Sequence, residues 1–343
     1  PNQALMAQVA RPVWLPPLPD TICLAELLGA DASGGGDGAD LPGVVTVGLV
    51  DEPRRQRQVP LRLDLTGAGG HVAIVGGPRT GRTMFLRTFA LSLLGAYRPT
   101  GPRSPAEVQL LVLDLGGGLH DLAELPHVAV VTGRYDPEGM TRLLRELRAV
   151  VDERAAALRD AGRPAWPGRD GQALLPDPLA AELYVLIDNL GVLRSEFTEL
   201  DLELADLAVT ALQFGVHVVL TAGRWLDIRP ALLDAIGTRL ELRLNDPVDS
   251  LVGRGAAAAI PVGRPGRVLL RDGRIGQLAR PAPDHSQPTE AATAAEPTEQ
   301  DRKQPNDSVG QLATRTSVRY PQLRAPRVAP LPLRLTVQEV PHL

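Results

Sequence analysis

The stretch from His71 to Thr83 limits the possible folds of this chain more than any other. It reads His-Val-Ala-Ile-Val-Gly-Gly-Pro-Arg-Thr-Gly-Arg-Thr. Four apolar residues run into a turn that opens at Gly76 and closes at Gly81, and an apolar segment of helical character follows. The order of strand, Gly-x-x-x-x-Gly, basic residue, hydroxyl and helix is that of a phosphate-binding loop. The sequence therefore predicts a strand–turn–helix unit that binds a nucleotide, and the alternative is a glycine-rich turn that has lost its ligand.

The residue types in this loop predict how a nucleotide binds. Glycine at the two ends allows backbone angles at which successive N–H groups converge on an anion, and the start of the helix adds its positive dipole end. We expect Arg82 to reach the outer phosphates of ATP and the Thr83 hydroxyl to hold Mg²⁺. Arg82 stands where the motif has lysine, and its guanidinium is a planar fork rather than a compact charge. The predicted nucleotide-binding residues are Gly76, Gly77, Pro78, Arg79, Thr80, Gly81, Arg82 and Thr83.

A second candidate lies where another apolar segment ends, at Asp188 and Asn189. A buried strand that ends in a carboxylate orders Mg²⁺ in P-loop proteins, so Asp188 joins Thr83 as a predicted metal-site residue. An active ATPase usually has a second acid after this aspartate, which polarises the attacking water. The Asn189 amide can hydrogen-bond water but cannot take its proton. We therefore expect weak or absent ATPase activity from this chain on its own. The alternative for Asp188 is an ordinary aspartate at the end of a strand.

Other polar residues give weaker signals. Thr221 ends an apolar segment and could contact phosphate. Asp114 could approach the site from the adjacent strand, but a turn-forming role before Gly116 explains it better. Three arginines could act on the nucleotide of a neighbouring chain: Arg224, Arg229 and Arg239. Since 36 residues are basic and lysine occurs only at position 303, most arginines are expected to be solvated or paired. The histidines lack metal-ligand spacing and are expected to be structural: His71, His120, His127 and His217.

Apolar segments alternate with helical ones along most of the chain. Strands are predicted at 44–50, 61–65, 72–75, 108–114, 128–131, 182–188, 216–221, 239–244 and 266–270, and long helices at 136–161 and 200–214. This alternation predicts an α/β fold with a doubly wound, mainly parallel sheet. A ligand then binds at the carboxyl ends of the strands, where the loop at 76–83 and Asp188 are both expected.

Composition narrows the classes of function. The chain of 343 residues is 44% hydrophobic, which is enough to bury a large core. Its net charge of -4 offers no overall basic field for binding nucleic acid. The single cysteine, Cys23, excludes an internal disulfide framework and a zinc cluster. No apolar run approaches the roughly 18 residues of a membrane span.

Shifts in composition divide the chain into four predicted parts. Residues 1–43 form a Pro-rich leading segment and an exposed loop that pack on the core, and 44–280 form the nucleotide-binding domain. Residues 281–318 are polar and predict a flexible linker. Prolines and leucines in 319–343 follow an order similar to that near the N-terminus, which predicts the leading segment of a second, tandem module. Two unrelated Pro-rich segments are the alternative. The chain starts at Pro1, so we expect it to be excised from a longer protein.

Several further segments follow one another in a recognisable order: 47–57, 116–119, 125–128, 215–219, 224–225, 228–230, 236–240 and 246–250. Together they resemble EccC, the FtsK/SpoIIIE-type ATPase of type VII (ESX) secretion systems. The likeness covers about residues 11–280. The opening at 14–18, Trp-Leu-Pro-Pro-Leu, is most similar to the second ATPase module of that family.

This resemblance implies a RecA-like P-loop core that binds ATP and Mg²⁺, in a protein with three tandem ATPase modules behind a membrane-anchored region. The module would lie at the cytoplasmic face of the cell membrane and regulate or gate export of WXG100-type substrates. Its implied partners are the neighbouring modules, membrane components of the complex and other copies in an oligomeric ring. Arg82 and Asn189 depart from the family pattern and argue against fast hydrolysis. The alternative is a DNA-translocating motor of the FtsK/HerA type, which the acidic charge disfavours.

Overall fold

The computed structural model describes residues 15–33, 43–97, 101–163, 180–281 and 305–326. Within these ranges one sheet contains β1 (Val44–Glu52), β2 (Arg57–Asp64), β3 (Val72–Val75), β4 (Val108–Asp114), β5 (Val128–Gly133), β6 (Glu182–Asp188), β7 (Val216–Ala222), β8 (Thr238–Glu241), β9 (Arg267–Leu270) and β10 (Ile275–Leu278). The order across the sheet is β2-β1-β10-β9-β8-β3-β7-β6-β4-β5.

The α-helices of the described ranges are α1 (Leu24–Ser33), α2 (Arg82–Leu93), α3 (Pro137–Asp160), α4 (Leu190–Glu196), α5 (Thr198–Ala211), α6 (Pro230–Ala235), α7 (Arg254–Ala258) and α8 (Pro305–Arg319). α3 begins where the Asp136 side chain accepts a hydrogen bond from the Gly139 N–H at 2.9 Å. Such a cap satisfies a donor that the first turn leaves unpaired. Across the ranges that the structure describes, none of these helices has the length and apolar character needed to cross a bilayer.

The six strands from β8 to β5 run parallel to one another, with β3 at the centre between β7 and β8. The residues of β3, β4, β6 and β7 are buried on both faces, which explains why these four strands are mostly apolar. In β3, Val72 and Ile74 belong to one core cluster and Ala73 and Val75 to the other, because successive side chains point to opposite faces. The predicted α/β fold with a mainly parallel sheet is confirmed.

Helices cover both faces of this parallel half. Phe85 and Phe89 of α2 pack in the cluster that contains Val72. Leu144 of α3 and Leu204 of α5 pack in the cluster that contains Val75. Helices on both sides leave the carboxyl ends of the central strands as the open edge of the sheet, which is where a doubly wound fold binds its ligands.

The other half of the sheet is antiparallel. β9 pairs with β8, and β10, β1 and β2 continue the sheet in antiparallel register. The sequence analysis did not predict β10. Its Ile-Gly-Gln-Leu segment is short and contains Gly276, where an added Cβ atom would lie 2.8 Å from the carbonyl oxygen of Leu49. Glycine is therefore needed there for close approach to β1, although glycine is unfavourable in strands by propensity.

The described part of the leading segment packs on the core, with Leu18 and Leu24 buried. Leu24 donates its N–H to the carbonyl of Arg280 at 2.9 Å, which joins the segment to the end of the sheet domain. Leu15, at the start of the described part of this segment, is 40% exposed. Residues 1–14, including Val13 and Trp14, lie outside the described residues.

Residues 305–326 fall largely in the range for which a flexible linker was predicted, and the structure differs from that prediction. α8 places Val309 and Leu312 in the same core cluster as Phe85. A few apolar residues at helical spacing are enough to pack this otherwise polar helix on the domain. The chain then continues along the surface, and Ala325 donates its N–H to the carbonyl of Pro126 at 2.8 Å. Residues 282–304 and 327–343 lie outside the described residues, so the second leading segment stays a prediction.

Candidate nucleotide-binding site

The predicted loop follows β3 at the centre of the parallel half. The neighbouring strands β7, β6 and β4 end at the same edge of the sheet. β4 and β6 are in register with Asp114 opposite Asp188. The Thr83 hydroxyl donates a hydrogen bond to Asp188 Oδ2 at 2.8 Å. The structure therefore places Thr83 and Asp188 in direct contact at one edge of the sheet.

The first two glycines of the loop have a different role from the one expected. The N–H of Gly76 donates to the carbonyl of Ala222 at 3.1 Å, and that of Gly77 donates to the carbonyl of Arg243 at 2.8 Å. These two N–H groups hold the loop to the sheet rather than pointing toward an anion. Glycine is needed at position 76 because an added Cβ atom would lie 2.7 Å from the Leu242 Cβ.

The second part of the loop has the backbone geometry of an anion site. Arg79 has φ +59° and Gly81 has φ +108°, both in the left-handed region. Alternation of right- and left-handed residues turns consecutive N–H groups toward one side, which forms a concave anion site. Thr80 fixes this turn because its hydroxyl donates to the carbonyl of Gly77 at 2.8 Å. A non-glycine residue such as Arg79 in this conformation carries strain that is typical of functional loops.

Arg82 begins α2 and points toward the end of β7. A Cβ atom added to Gly223, just beyond that strand, would lie 3.6 Å from Arg82 Nη1. Nη1 is buried and has no hydrogen-bond partner among the residues that the structure describes. A buried, unpaired donor costs about 1–3 kcal/mol, and more when it is charged. The site therefore fits an anionic ligand group such as phosphate.

Asp188 is only 3% exposed and both of its carboxylate oxygens are held by hydroxyl groups. Thr83 donates to Oδ2 and Thr221 donates to Oδ1, each at 2.8 Å. Thr221 in turn accepts the backbone N–H of Asn189 at 2.8 Å. Thr221, expected as a possible phosphate contact, thus orients the carboxylate. A hydroxyl and a carboxylate are oxygen ligands that suit Mg²⁺, so the Thr83–Asp188 pair fits the predicted metal.

The loop after β4 is a part of the site that the sequence analysis missed. A Cβ atom on Gly116 would lie 2.5 Å from Asp188 Oδ2, and one on Gly118 would lie 2.6 Å from Thr83 Cγ2. Asp114 shapes this loop by accepting the N–H groups of Gly118 at 3.0 Å and Leu119 at 2.8 Å, in the turn role that was favoured. Three consecutive glycines, beginning two residues after the end of a buried strand, were the signal that could have pointed to close packing here.

The sequence profile of the FtsK/SpoIIIE family matches residues 45–283. The chain belongs to the FtsK/SpoIIIE family. The matched range contains the whole sheet apart from the first residue of β1, and it includes the loop, Asp188 and the glycines that surround them. This membership agrees with the α/β fold of P-loop ATPases seen in the structure.

Within this family, the chain is similar to proteins of type VII secretion systems. The ESX-4 secretion system protein EccC4 of Mycobacterium tuberculosis is 43% identical over 274 residues, which are 79% of this chain and 21% of EccC4. The ESX secretion system protein EccC of Thermomonospora curvata is 38% identical over 293 residues, 82% of this chain and 22% of that protein. The chain thus spans about a fifth of the length of these relatives. The resemblance to EccC is confirmed.

Solved structures of EccC proteins are similar to this chain as well. ATPases 2 and 3 of Thermomonospora curvata EccC, in complex with a signal sequence peptide, match with a TM-score of 0.80 and 34% identity. That match covers 96% of this chain and 58% of the other. The cytoplasmic domain of the same EccC gives a TM-score of 0.80 and 33% identity, over 96% of this chain and 37% of the other.

In this FtsK/SpoIIIE domain the remaining arginine candidates have partners within the chain. Arg224 pairs with Asp227 at 3.3 Å, and Arg229 pairs with the buried carboxylate of Asp201. Arg239 donates to the carbonyls of Leu233 at 2.7 Å and Ile236 at 3.1 Å. These contacts agree with the expectation that most arginines are paired.

The buried histidines contact the backbone, and the described residues contain no group of three or more His, Cys, Asp or Glu side chains that could hold a metal ion. His71 shows the pattern: Nε2 faces the carbonyl of Ala208 and Nδ1 accepts the N–H of Val218, each at 2.9 Å. Burial lowers the pKa of His71, His127 and His217 to about 4. They are neutral at pH 7 and structural.

A cleft of about 610 Å³ opens beside the loop. Its lining includes Arg79, Gly81–Phe85, Gly263–Gly266, Gln277–Arg280, Asp20 and Thr21. A cleft of this size can hold the nucleoside part of a ligand whose phosphates bind the loop. The leading segment forms part of its wall.

Proposed function

We propose that this chain is an ATP- and Mg²⁺-binding module of a type VII protein-secretion motor. The observation that carries the proposal is the buried Nη1 of Arg82, which has no hydrogen-bond partner in the part of the chain that the structure describes. It lies in a left-handed loop, next to a hydroxyl–carboxylate pair suited to Mg²⁺. The similarity to EccC proteins of ESX systems supports the secretion context.

In this proposal the backbone N–H groups of residues 79–83 bind the phosphates. Arg82 supplies the positive charge that lysine supplies in most P-loops. Thr83 and Asp188 hold Mg²⁺, which when bound screens the phosphate charge. Thr221 keeps Asp188 oriented.

The proposed role is regulatory. Arg82 and Asn189 alter two contributors to charge stabilisation and water orientation, so the module on its own hydrolyses ATP weakly. We expect steady-state turnover well below the ~1 s⁻¹ of competent enzymes. Within the whole protein it regulates or gates export of WXG100-type substrates at the cytoplasmic face of the membrane, in contact with neighbouring ATPase modules, membrane components and other copies in a ring. The acidic net charge favours this role over DNA translocation.

Calorimetric titration of the whole chain with Mg·ATP tests the proposal. Gly81→Val should weaken binding at least tenfold, because position 81 has φ +108° and an added Cβ atom would lie 3.2 Å from the Gly266 N–H. Gly273→Val is the matched control. Gly273 has φ +84°, has open space around it and is distant from the loop in the sequence, so its replacement should leave the affinity for Mg·ATP unchanged. Arg82→Lys should preserve or strengthen binding. Absence of binding in both the parent chain and Arg82→Lys would refute the proposal.

A further inference from the structure

An acid that the sequence analysis did not single out lies at this site. A Cβ atom added to Gly191 would lie 3.3 Å from Asp227 Oδ2 and 3.7 Å from Asn189 Oδ1. A Cβ atom added to Gly223 would lie 3.2 Å from the same Asp227 oxygen and 3.6 Å from Arg82 Nη1. The Asp227 carboxylate is therefore close to the two residues at which the site departs from its family pattern.

A short 3-10 turn, Trp225–Asp227, holds this acid just beyond the end of β7. Trp225 is buried, and its indole N–H donates to Glu241 Oε1 at 2.8 Å, which anchors the turn to β8. The Asp227 side chain is 18% exposed. The carboxylate is thus held in position while water can still reach it.

Asp227 retains hydrogen-bonding capacity in this position. Its Oδ2 accepts the backbone N–H of Arg224 at 2.9 Å, and its Oδ1 accepts the Arg224 guanidinium at 3.3 Å. A carboxylate has about four acceptor positions. Oδ2 is the oxygen beside Gly191 and Gly223, and it can accept a second hydrogen bond in the space that these glycines leave.

We propose that Asp227 is the general base of the weak ATP hydrolysis by this module. It would replace the acid that active ATPases usually have at the position of Asn189. This inference rests on the proposed function. The water oxygen forms a bond to the γ-phosphorus while the bond from that phosphorus to the β,γ-bridging oxygen breaks and its electron pair leaves with ADP. Asp227 takes a proton from the water and passes it to the solvent, so ATP and water give ADP and phosphate. Asn189 holds the water by a hydrogen bond and Arg82 stabilises the charge on the γ-phosphate.

If Asp227 had a purely structural role, Asp227→Asn would convert ATP at the parent rate. Asp227→Asn keeps an oxygen that can accept the Arg224 N–H, so the turn is preserved, but an amide cannot take a proton. The matched control is Asp234→Asn on α6, which removes the same charge from an exposed position. Melting temperatures of both variants confirm that the domain is intact.

The experiment measures single-turnover conversion of γ-³²P-labelled Mg·ATP by an excess of the whole chain. General-base catalysis typically contributes 10²–10⁴-fold, so Asp227→Asn should slow conversion about 100-fold while leaving the calorimetric affinity for Mg·ATP within about twofold. Asp234→Asn should convert ATP at the parent rate. Asn189→Asp adds an acid at the family position, in a left-handed backbone (φ +70°) that aspartate tolerates, and should restore conversion in the Asp227→Asn background.

Equal rates for the parent chain and Asp227→Asn would overturn the inference, as would a parent rate no higher than that of Asp188→Ala. Both results leave the proposed function standing if the calorimetry shows binding. Loss of nucleotide binding in the parent chain and in Arg82→Lys refutes the proposed function itself, so the two failures are distinguishable.

Discussion

Gly223 leaves space for the Asp227 carboxylate beyond the end of β7. An added Cβ atom at position 223 would lie 3.2 Å from Asp227 Oδ2, which is a tight contact, and 3.6 Å from Arg82 Nη1, which is an ordinary van der Waals distance. A larger residue at position 223 would therefore disturb Asp227 first, and the broad Arg82 guanidinium would still fit.

The buried histidines predict how stability depends on pH. Burial lowers the pKa of His71, His127 and His217 from 6.5 to about 4, so the unfolded chain binds more protons than the folded chain between these pH values. Their contribution to stability is fully present above pH 6.5 and is lost as pH falls toward 4. Urea unfolding at pH 7 and at pH 5 should show this loss.

The control for this prediction is His127→Gln, which keeps a donor for the carbonyl of Arg103 but does not titrate. The variant should lose less stability between pH 7 and pH 5 than the parent chain. Since one pKa unit corresponds to about 1.4 kcal/mol, the difference is measurable. An identical loss in both proteins would contradict the assignment of His127 as a neutral buried residue.

Sequence patterns can select single residues where the chemistry is local but not where it depends on strand order. Thr83 and Asp188 were selected because each follows its own strand in a recognisable motif, and the structure places them at hydrogen-bond distance, 2.8 Å; their metal-binding role stays a prediction. The role of Thr221 toward Asp188 could not be derived, because it requires that β7 lie next to β6. Asp227 was missed for the same reason: it lies on the same side of the site as Asn189 only because β7 is next to β6.

Arg267 of β9 is the main anchor of the leading segment. Its Nη2 donates to the carbonyl of Leu18 at 3.2 Å and contacts Asp20 Oδ1 at 3.2 Å, while the side chain is almost fully buried. The neighbouring Gly266 donates its N–H to the carbonyl of Thr80 in the phosphate-binding loop at 2.8 Å. One short segment thus holds both the leading segment and the loop.

Arg267→Met should release the leading segment. Hydrogen exchange of residues 18–24 should become faster, because the carbonyls and carboxylate that Arg267 binds lose their donor. Arg264→Met is the control, since Arg264 makes a half-exposed ion pair with the exposed Asp20 carboxylate at 2.7 Å and such pairs contribute ~0–1 kcal/mol. Equal exchange rates in the two variants would show that Arg267 is not the anchor.

At the level of elements, the long periodic segments were predicted well and the short or polar ones were not. β4 and β6 have the predicted bounds, and α3 differs from its predicted range by one residue at each end. β10 was missed because four residues around a glycine carry little periodic signal. In α8 only Val309 and Leu312 are deeply buried large apolar residues, too few to separate a packed helix from a polar linker by composition.

In the described part of the chain, the folded domain extends to residue 326. Truncation after Pro281 removes α8 with Val309 and Leu312, and each such side chain contributes about 1.5–3 kcal/mol when buried. The melting temperature should therefore fall by several degrees. Truncation after Pro326 keeps α8 and is the control; its melting temperature should match that of the whole chain.

Limited proteolysis gives an independent measurement of the same boundary. Arg315 lies on α8 and donates to the carbonyl of Ala96, so cleavage after it should be slow in the folded protein. Rapid cleavage there, or an unchanged melting temperature after truncation at Pro281, would mean that the domain ends where the sequence predicted.

The position of β3 between β7 and β8 has a consequence for how the protein is made. The strand that carries the nucleotide loop ends at Val75, but its two neighbours begin only at Val216 and Thr238. During synthesis β3 gains its first neighbour only when β7 has been made and its second only when β8 has been made. Such long-range pairing is slow. From the synthesis of Val75 until that of Val216, the nascent chain therefore exposes an apolar strand without its sheet neighbours. Unpaired strand edges of this kind are prone to aggregation.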